Sequence, residues 1–76
     1  MTEMQLDMLA TICGAINGIP INVLRAALES DYDKRYKMTD IHNTIEYFRE
    51  KKLVTVENNI VTITQLGIDV AYYEDL

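Results

Sequence analysis

The sequence predicts a single domain of the α+β class, mainly helical, with three helices, a two-stranded hairpin and a C-terminal helix. Apolar residues recur at helical spacing over residues 3–17, 20–30, 40–52 and 65–74. Residues 53–64 instead alternate apolar and polar side chains, which is typical of a β-hairpin. With 76 residues the chain is near the lower limit for folding on its own apolar core, so residues 1–76 form one domain.

The first helix has an unusually wide apolar surface. One stripe contains Leu6, Leu9, Cys13 and Ile16, and a second stripe beside it contains Met4, Met8 and Ile12. A helix that covers a small core needs an apolar arc of about 100°, and this arc is wider. We therefore expect the helix either to be buried on two sides or to contact a partner through its second stripe.

The next segment contains the signals that end one helix and begin another. Asn17 and Gly18 are expected to end the first helix, because both residue types accept the left-handed conformation of a C-terminal cap. Ile19 then forms a short extended segment, and Pro20 suits the first turn of the second helix. Residues 31–37 are polar and charged, which predicts a loop longer than the turn of a compact helix-turn-helix. The buried face of the second helix is Ile21, Leu24, Ala27 and Leu28.

The third helix has a favourable start. Thr39 is a good N-cap, and Asp40 suits the positive end of the helix dipole. Ile41, Ile45 and Phe48 then mark the side that faces the core.

One register of the hairpin buries all of its valines. It requires a two-residue turn at Asn58-Asn59. A shift by one residue would expose the valines to water, so the register is strongly specified. The expected pairs are Val54 with Ile63 and Val56 with Val61 on the inner face, and Thr55 with Thr62 outside.

Thr64 is expected to cap the last helix, which also carries two apolar stripes. A chain this small covers one core, so the second stripes of the first and last helices are candidates for a homodimer interface. The alternative is that these stripes pack on each other within one monomer. The predicted interface residues are Met4, Met8, Ile12, Ile68, Tyr72 and Leu76.

The most specific pattern is IHNTIEYFREKKLVTVENNIVTITQLGIDVA, residues 41–71. A helix ends in a Leu-Val pair, a hairpin follows, and T-x-x-G-x-x-x-A (Thr64, Gly67, Ala71) closes the domain. The full order of helix, short extended Ile19, helix, helix, hairpin and helix resembles the winged helix-turn-helix family, including small bacterial, archaeal and phage regulators of the MarR and PadR groups. The resemblance covers nearly the whole chain and implies a transcriptional regulator binding duplex DNA, with residues 40–52 as recognition helix. Winged helices also serve as protein-interaction modules, so function must be argued from the surface.

The charges are unevenly distributed along the chain. All 7 basic residues lie between positions 25 and 52 with six of the 12 acidic residues, so this stretch carries +1 although the chain carries −5. The recognition helix implied by the resemblance could use Asn43 to contact an adenine edge. Thr44 and Tyr47 could reach thymine methyl groups or phosphates. The lysine and arginine side chains could contact phosphates. The candidate DNA contacts are Lys34, Arg35, Lys37, Asn43, Thr44, Tyr47, Lys51 and Lys52.

Two features count against DNA as the partner. Glu46 and Glu50 lie on the outer side of the third helix, and the hairpin tip, residues 57–60, has no cation. Neutralisation of phosphate charges by lysine and arginine supplies most non-specific affinity for DNA. One copy of the chain has too few usable cations for this, so DNA binding is expected only from a homodimer. The alternative is an acidic winged-helix module, such as an antirepressor, inhibitor or assembly subunit, that binds a protein and does not bind DNA directly.

Several other classes of function are not expected. The sequence has no Ser/His/Asp set, metal-ligand cluster or Gly-rich phosphate loop, so no enzyme, metal or other cofactor is predicted. Cys13 is the single cysteine, and His42 has no ligand partner at helical spacing. No run approaches the roughly 20 apolar residues that cross a bilayer, and the N-terminus has acids where a signal peptide has lysines. We expect a cytoplasmic protein.

Overall fold

The computed structural model describes residues 1–74, which form four helices and a three-stranded antiparallel sheet. This confirms the predicted α+β, mainly helical class and adds a two-residue strand to it. None of the helices in the described residues is both long and apolar enough to cross a membrane. The elements are α1 (Glu3–Gly14), β1 (Ile19–Pro20), α2 (Ile21–Tyr32), α3 (Met38–Glu50), β2 (Val54–Glu57), β3 (Ile60–Ile63) and α4 (Gln65–Glu74).

Helix α1 lies at the centre of the fold, where it packs against α2, α4 and β3. This position explains its wide apolar arc, because the helix is buried on more than one side within the monomer. Met8 and Ile12 are both 0% exposed, and Met4 is half-buried against the core. The prediction that Met8 and Ile12 form a dimer interface is therefore wrong, since neither has surface to offer a second copy.

Helix α4 covers one side of α1 with partly buried residues. Ile68 is half-buried and packs against the core, whereas Tyr72 is 71% exposed. Leu76, also predicted at the interface, lies outside the described residues. Among the predicted interface residues that are described, Tyr72 alone is well exposed, because the stripes of α1 and α4 mainly pack within the monomer.

Helix α1 ends earlier than the sequence predicted. It stops at Gly14, and the N–H of Gly18 donates to the carbonyl of Ala15 at 2.8 Å to close a turn. Gly18 has a φ of 102°, so the left-handed residue ends this turn and not the helix itself. The turn carries the chain to Ile19, which pairs with Val61 in the sheet.

Helix α4 has the predicted bounds, Gln65–Glu74, whereas the ends of α2 and α3 differ from the predictions by one or two residues. Helix α2 continues to Tyr32 and ends at Asp33, which adopts the left-handed conformation with a φ of 54°. Helix α3 begins at Met38 with Lys37 as its N-cap residue, so the predicted cap at Thr39 is wrong. The sequence signal T-x-x-Q was missed at α1, where Thr2 and Gln5 form a capping box.

The hairpin has the predicted register. Val54 pairs with Ile63, Thr55 with Thr62, and Val56 with Val61. The turn residues Asn58 and Asn59 have φ values of 53° and 62°, which is the geometry of the turn type that fits a two-residue hairpin.

The hairpin turn is fixed to the body of the domain. Pro20 in β1 pairs with Ile60, and the N–H of Ile21 donates to the carbonyl of Asn59 at 3.0 Å. The two-residue strand β1 thus holds the tip of the hairpin against the start of α2. As a result the tip does not project as a free arm.

Thr64 and Gly67 join the hairpin to α4. The Thr64 hydroxyl accepts a hydrogen bond from the Gly67 N–H at 3.0 Å and donates to the Lys52 carbonyl at 2.7 Å. A Cβ atom on Gly67 would lie 2.1 Å from the carbonyl oxygen of Leu53. The T-x-x-G motif therefore lets the first turn of α4 lie directly against the backbone that connects α3 to β2.

Candidate nucleic-acid interface

Two of the eight predicted contacts, Asn43 and Tyr47, lie on the side of α3 opposite the core. Ile41, Ile45 and Phe48 face the core, as predicted, and none is more than 2% exposed. Asn43 is exposed and Tyr47 is 38% exposed. The other exposed side chains on α3 after Ile41 are His42, Glu46, Arg49 and Glu50.

Thr44 does not belong to this surface, and its predicted contact with DNA is wrong. Its side chain is 8% exposed, and its hydroxyl donates to the Asp40 carbonyl at 2.8 Å. The sulfur of Met4 lies 4.0 Å from the same hydroxyl, so α1 covers this flank of α3. Thr44 comes three residues after Ile41, a spacing that places both on one helix face, so the sequence carried this signal.

Lys34 anchors the loop before α3 to α1. Its ammonium group forms an ion pair with Glu3 and lies 3.5 Å from an oxygen of Asp7. Nearby, burial and then the charge of Asp7 raise the pKa of the Tyr36 hydroxyl. Two acids already balance the charge of Lys34, so this residue is a weak candidate for phosphate contact.

Two further cations have carboxylate partners on the surface. Arg35 donates from Nε to Glu29 at 3.0 Å, and its side chain remains 81% exposed. Arg49 donates to one oxygen of Glu46 from Nε at 3.1 Å and from Nη2 at 2.7 Å. The Arg49–Glu46 pair lies in the C-terminal part of α3, where it lowers the net positive charge.

Three lysines at the ends of α3 make no ion pair within the described residues. Lys37 is the N-cap residue of the helix, and Lys51 is its C-cap residue, followed by Lys52. All three are exposed. The ammonium group of Lys51 lies 5.8 Å from the centre of the Tyr47 ring, within the range of a cation–π contact.

A shallow pocket beside the start of α3 brings together residues that sequence reasoning did not connect. Asn22 from α2, His42 from α3 and Asn59 from the hairpin turn line it, with Ile21 and Met38. These polar side chains meet because β1 holds the hairpin turn against α2. That pairing is a tertiary contact, and nothing in the local sequence around Asn59 indicated it.

Searches against protein-family models, curated proteins and solved structures find no match for this chain. Function must therefore be argued from the surface. The outer surface of α3 combines exposed hydrogen-bonding groups with lysines at both helix ends that have no ion-pair partner among the described residues, and with the carboxylates of Asp40, Glu46 and Glu50.

Proposed function

We propose that the chain is a winged-helix transcriptional regulator that binds duplex DNA as a homodimer, with α3 as its recognition helix. One observation carries the proposal: exposed Asn43 and Tyr47 lie between lysines at the two ends of α3 that form no ion pair with any residue the structure describes. The helix has 13 residues and is thus about 20 Å long, enough to cross a major groove about 12 Å wide. Cations at its two ends would then meet the phosphates that border the groove.

Each residue has a separate role in this proposal. The amide of Asn43 pairs with an adenine edge, which reads sequence. Tyr47 contacts a thymine methyl group or the DNA backbone. The face of the Tyr47 ring also positions the Lys51 ammonium group through a cation–π contact. Lys37, Lys51 and Lys52 contact phosphates, which gives affinity without sequence preference. Thr44 has no role because it is buried.

The number of available cations explains why two copies are needed. Affinity for duplex DNA depends on phosphate neutralisation, and the three lysines in one copy that lack an ion-pair partner within residues 1–74 support weak binding. Two copies double this number and bind two half-sites. The logarithm of the binding constant should fall with the logarithm of salt concentration with a slope of about −5 for six contacts, against about −3 for three.

Fluorescence anisotropy with mixed-sequence duplex DNA at about 50 and 200 mM salt tests the proposal, because this range spans the strong salt dependence of phosphate contacts. Binding that weakens by about a thousandfold over this range is expected of a dimer making six contacts. Lys37→Ala should weaken binding to all sequences. Arg35→Ala is the matched control, since Arg35 lies in the same loop but is paired with Glu29. Absence of binding at the lower salt concentration would refute the proposal.

A second candidate is an acidic winged-helix module that binds a protein and not DNA. The observation that favours it is the set of carboxylates on or beside the outer side of α3, together with the hairpin tip that Ile21 holds against the body. Asp40, Glu46 and Glu50 offset the positive charge there, and Glu57 adds another carboxylate at the tip. Stable folding without any DNA binding at low salt would favour this candidate.

A further inference from the structure

Strand β2 is an open edge of the sheet. The strand order is β1–β3–β2, so β3 is central and β2 has a neighbour on one side only within the described residues. An edge strand presents unpaired backbone N–H and C=O groups that another strand can use. The chain covers the opposite edge with β1, but no described element covers β2.

The hairpin register identifies which backbone groups of β2 are free. The N–H of Thr64 donates to the carbonyl of Leu53 at 3.0 Å, and these two residues extend the register of the hairpin. Hydrogen-bonded pairs alternate with non-bonded pairs in an antiparallel ladder, so Thr55 and Glu57 bond to β3. The N–H and C=O groups of Val54 and Val56 therefore point away from β3, toward the edge. Val56 is half-buried there, whereas Val54 is only 2% exposed. Pairing at Val54 therefore requires the flexible side chains of Arg49 and Lys52, which line a groove with it, to turn aside.

The edge also has opposite charges at its two ends. Lys52 supplies the positive charge of this groove beside the start of β2, which Thr64 and Arg49 also line, although Glu46 already balances the charge of Arg49. Glu57 ends the strand and is exposed. Two such strands side by side in parallel would place like charges together. Two strands in antiparallel orientation would place the cationic start of one beside the anionic end of the other.

We propose that β2 pairs antiparallel with β2 of a second copy, which joins the two sheets into one six-stranded sheet. One register lets Val54 of each copy bond to Val56 of the other, and it satisfies all the free groups of both residues. In this register Thr55 faces Thr55 of the second copy on the two-fold axis. Glu57 then faces Leu53 of the second copy, so it comes within about 10 Å, Cα to Cα, of the adjacent Lys52.

This inference bears on the proposed function but is tested without DNA. The stripes of α1 and α4 that predicted a dimer mainly pack inside the monomer, so the second copy needs another surface. Self-pairing of β2 supplies one. In that dimer Lys52 lies beside Glu57 of the second copy, so Lys37 and Lys51 of both copies leave four phosphate contacts and a salt slope of about −4, in place of the six contacts of lysines that are not shared. A dimer that forms but does not bind DNA would remove the proposed function and leave this inference intact.

Cysteine cross-linking tests the register directly. Thr55 on the two-fold axis is a non-hydrogen-bonded pair with a Cα–Cα distance of about 4.5 Å, short enough for a disulfide. Thr55→Cys in a Cys13→Ser background should form a covalent dimer on mild oxidation, seen on a non-reducing gel. Thr62→Cys is the matched control, because Thr62 lies opposite Thr55 but on the central strand. Equal cross-linking of the two variants would overturn the proposal.

Charge reversal gives an independent test that also controls for misfolding. Glu57→Lys and Lys52→Glu should each weaken the homodimer about tenfold in sedimentation at low salt, because each places like charges together twice. A mixture of the two variants should form a heterodimer as strong as the original homodimer, since both contacts then join opposite charges. Monomeric behaviour of the unaltered chain at about 100 μM, or no recovery in the mixture, would overturn the proposal.

Discussion

Replacement of Gly67 by alanine tests how α4 is attached to the hairpin. An added Cβ would lie 2.1 Å from the Leu53 carbonyl oxygen and 2.6 Å from Cδ1 of Ile63. The Ile63 side chain can rotate, but the Leu53 oxygen belongs to the backbone and accepts the N–H of Thr64. Helix α4 must therefore move away by about 1 Å, because normal contacts between such atoms begin above 3 Å.

The expected loss of stability follows from two opposing effects. Overfilling a well-packed site costs typically 1–3 kcal/mol, and contact with backbone argues for about 3 kcal/mol here. Alanine in a helix is more favourable than glycine by about 1 kcal/mol. The net decrease in the free energy of unfolding is then about 2 kcal/mol, or roughly 8–16 °C in Tm for a domain of this size.

Urea unfolding followed by circular dichroism measures this decrease. Gly14→Ala is the matched control, because an added Cβ at Gly14 meets nothing within 4 Å and α1 gains a better helix former. Gly14→Ala should be neutral or stabilising by up to about 1 kcal/mol. A Gly67→Ala protein as stable as the original would show that α4 does not lie against Leu53, and the explanation of the T-x-x-G motif would fail.

Three further predictions concern single residues. Thr64→Val should lower the free energy of unfolding by about 1–3 kcal/mol in urea, because the Gly67 N–H and the Lys52 carbonyl lose their hydrogen-bonding partner; an unchanged midpoint would contradict this. The raised pKa of Tyr36 favours its neutral form in the folded state, so stability should be fully present below pH 10.0 and fall as pH rises above it. Tyr36→Phe should reduce this alkaline loss in thermal melts, and an identical pH profile would exclude Tyr36 as its cause. Asn43→Ala should relax base preference at one position in a binding-site selection without changing the salt dependence; unchanged preference would mean that α3 faces DNA differently.

The features predicted correctly from the sequence depend on neighbours along the chain. The hairpin register follows from alternation and from Asn58-Asn59, because a shift by one residue would invert both faces of the strands. The core side of α3 follows from the spacing of Ile41, Ile45 and Phe48. Such patterns are local and need no knowledge of how the elements pack.

The burial of Thr44 and the capping box at Thr2 had local signals that were overlooked, but the other features that were missed depend on contacts between distant segments. Lys34 and Glu3 are 31 positions apart, and their ion pair forms only because the loop before α3 lies on α1. Met8 belongs to the core because α1 contacts three other elements, and periodicity alone cannot distinguish such a helix from one that meets a partner. The charge available at the candidate site was overestimated for the same reason.

The hydrogen bond from Ile21 to Asn59 affects the thermodynamics of any encounter with a ligand. A long free arm must lose conformational entropy when it becomes ordered on its target, and this cost reduces affinity. Here the tip is already immobilised against α2 before any ligand arrives. Association through this end of the molecule should resemble the docking of two preformed surfaces, with little entropic penalty from ordering the backbone.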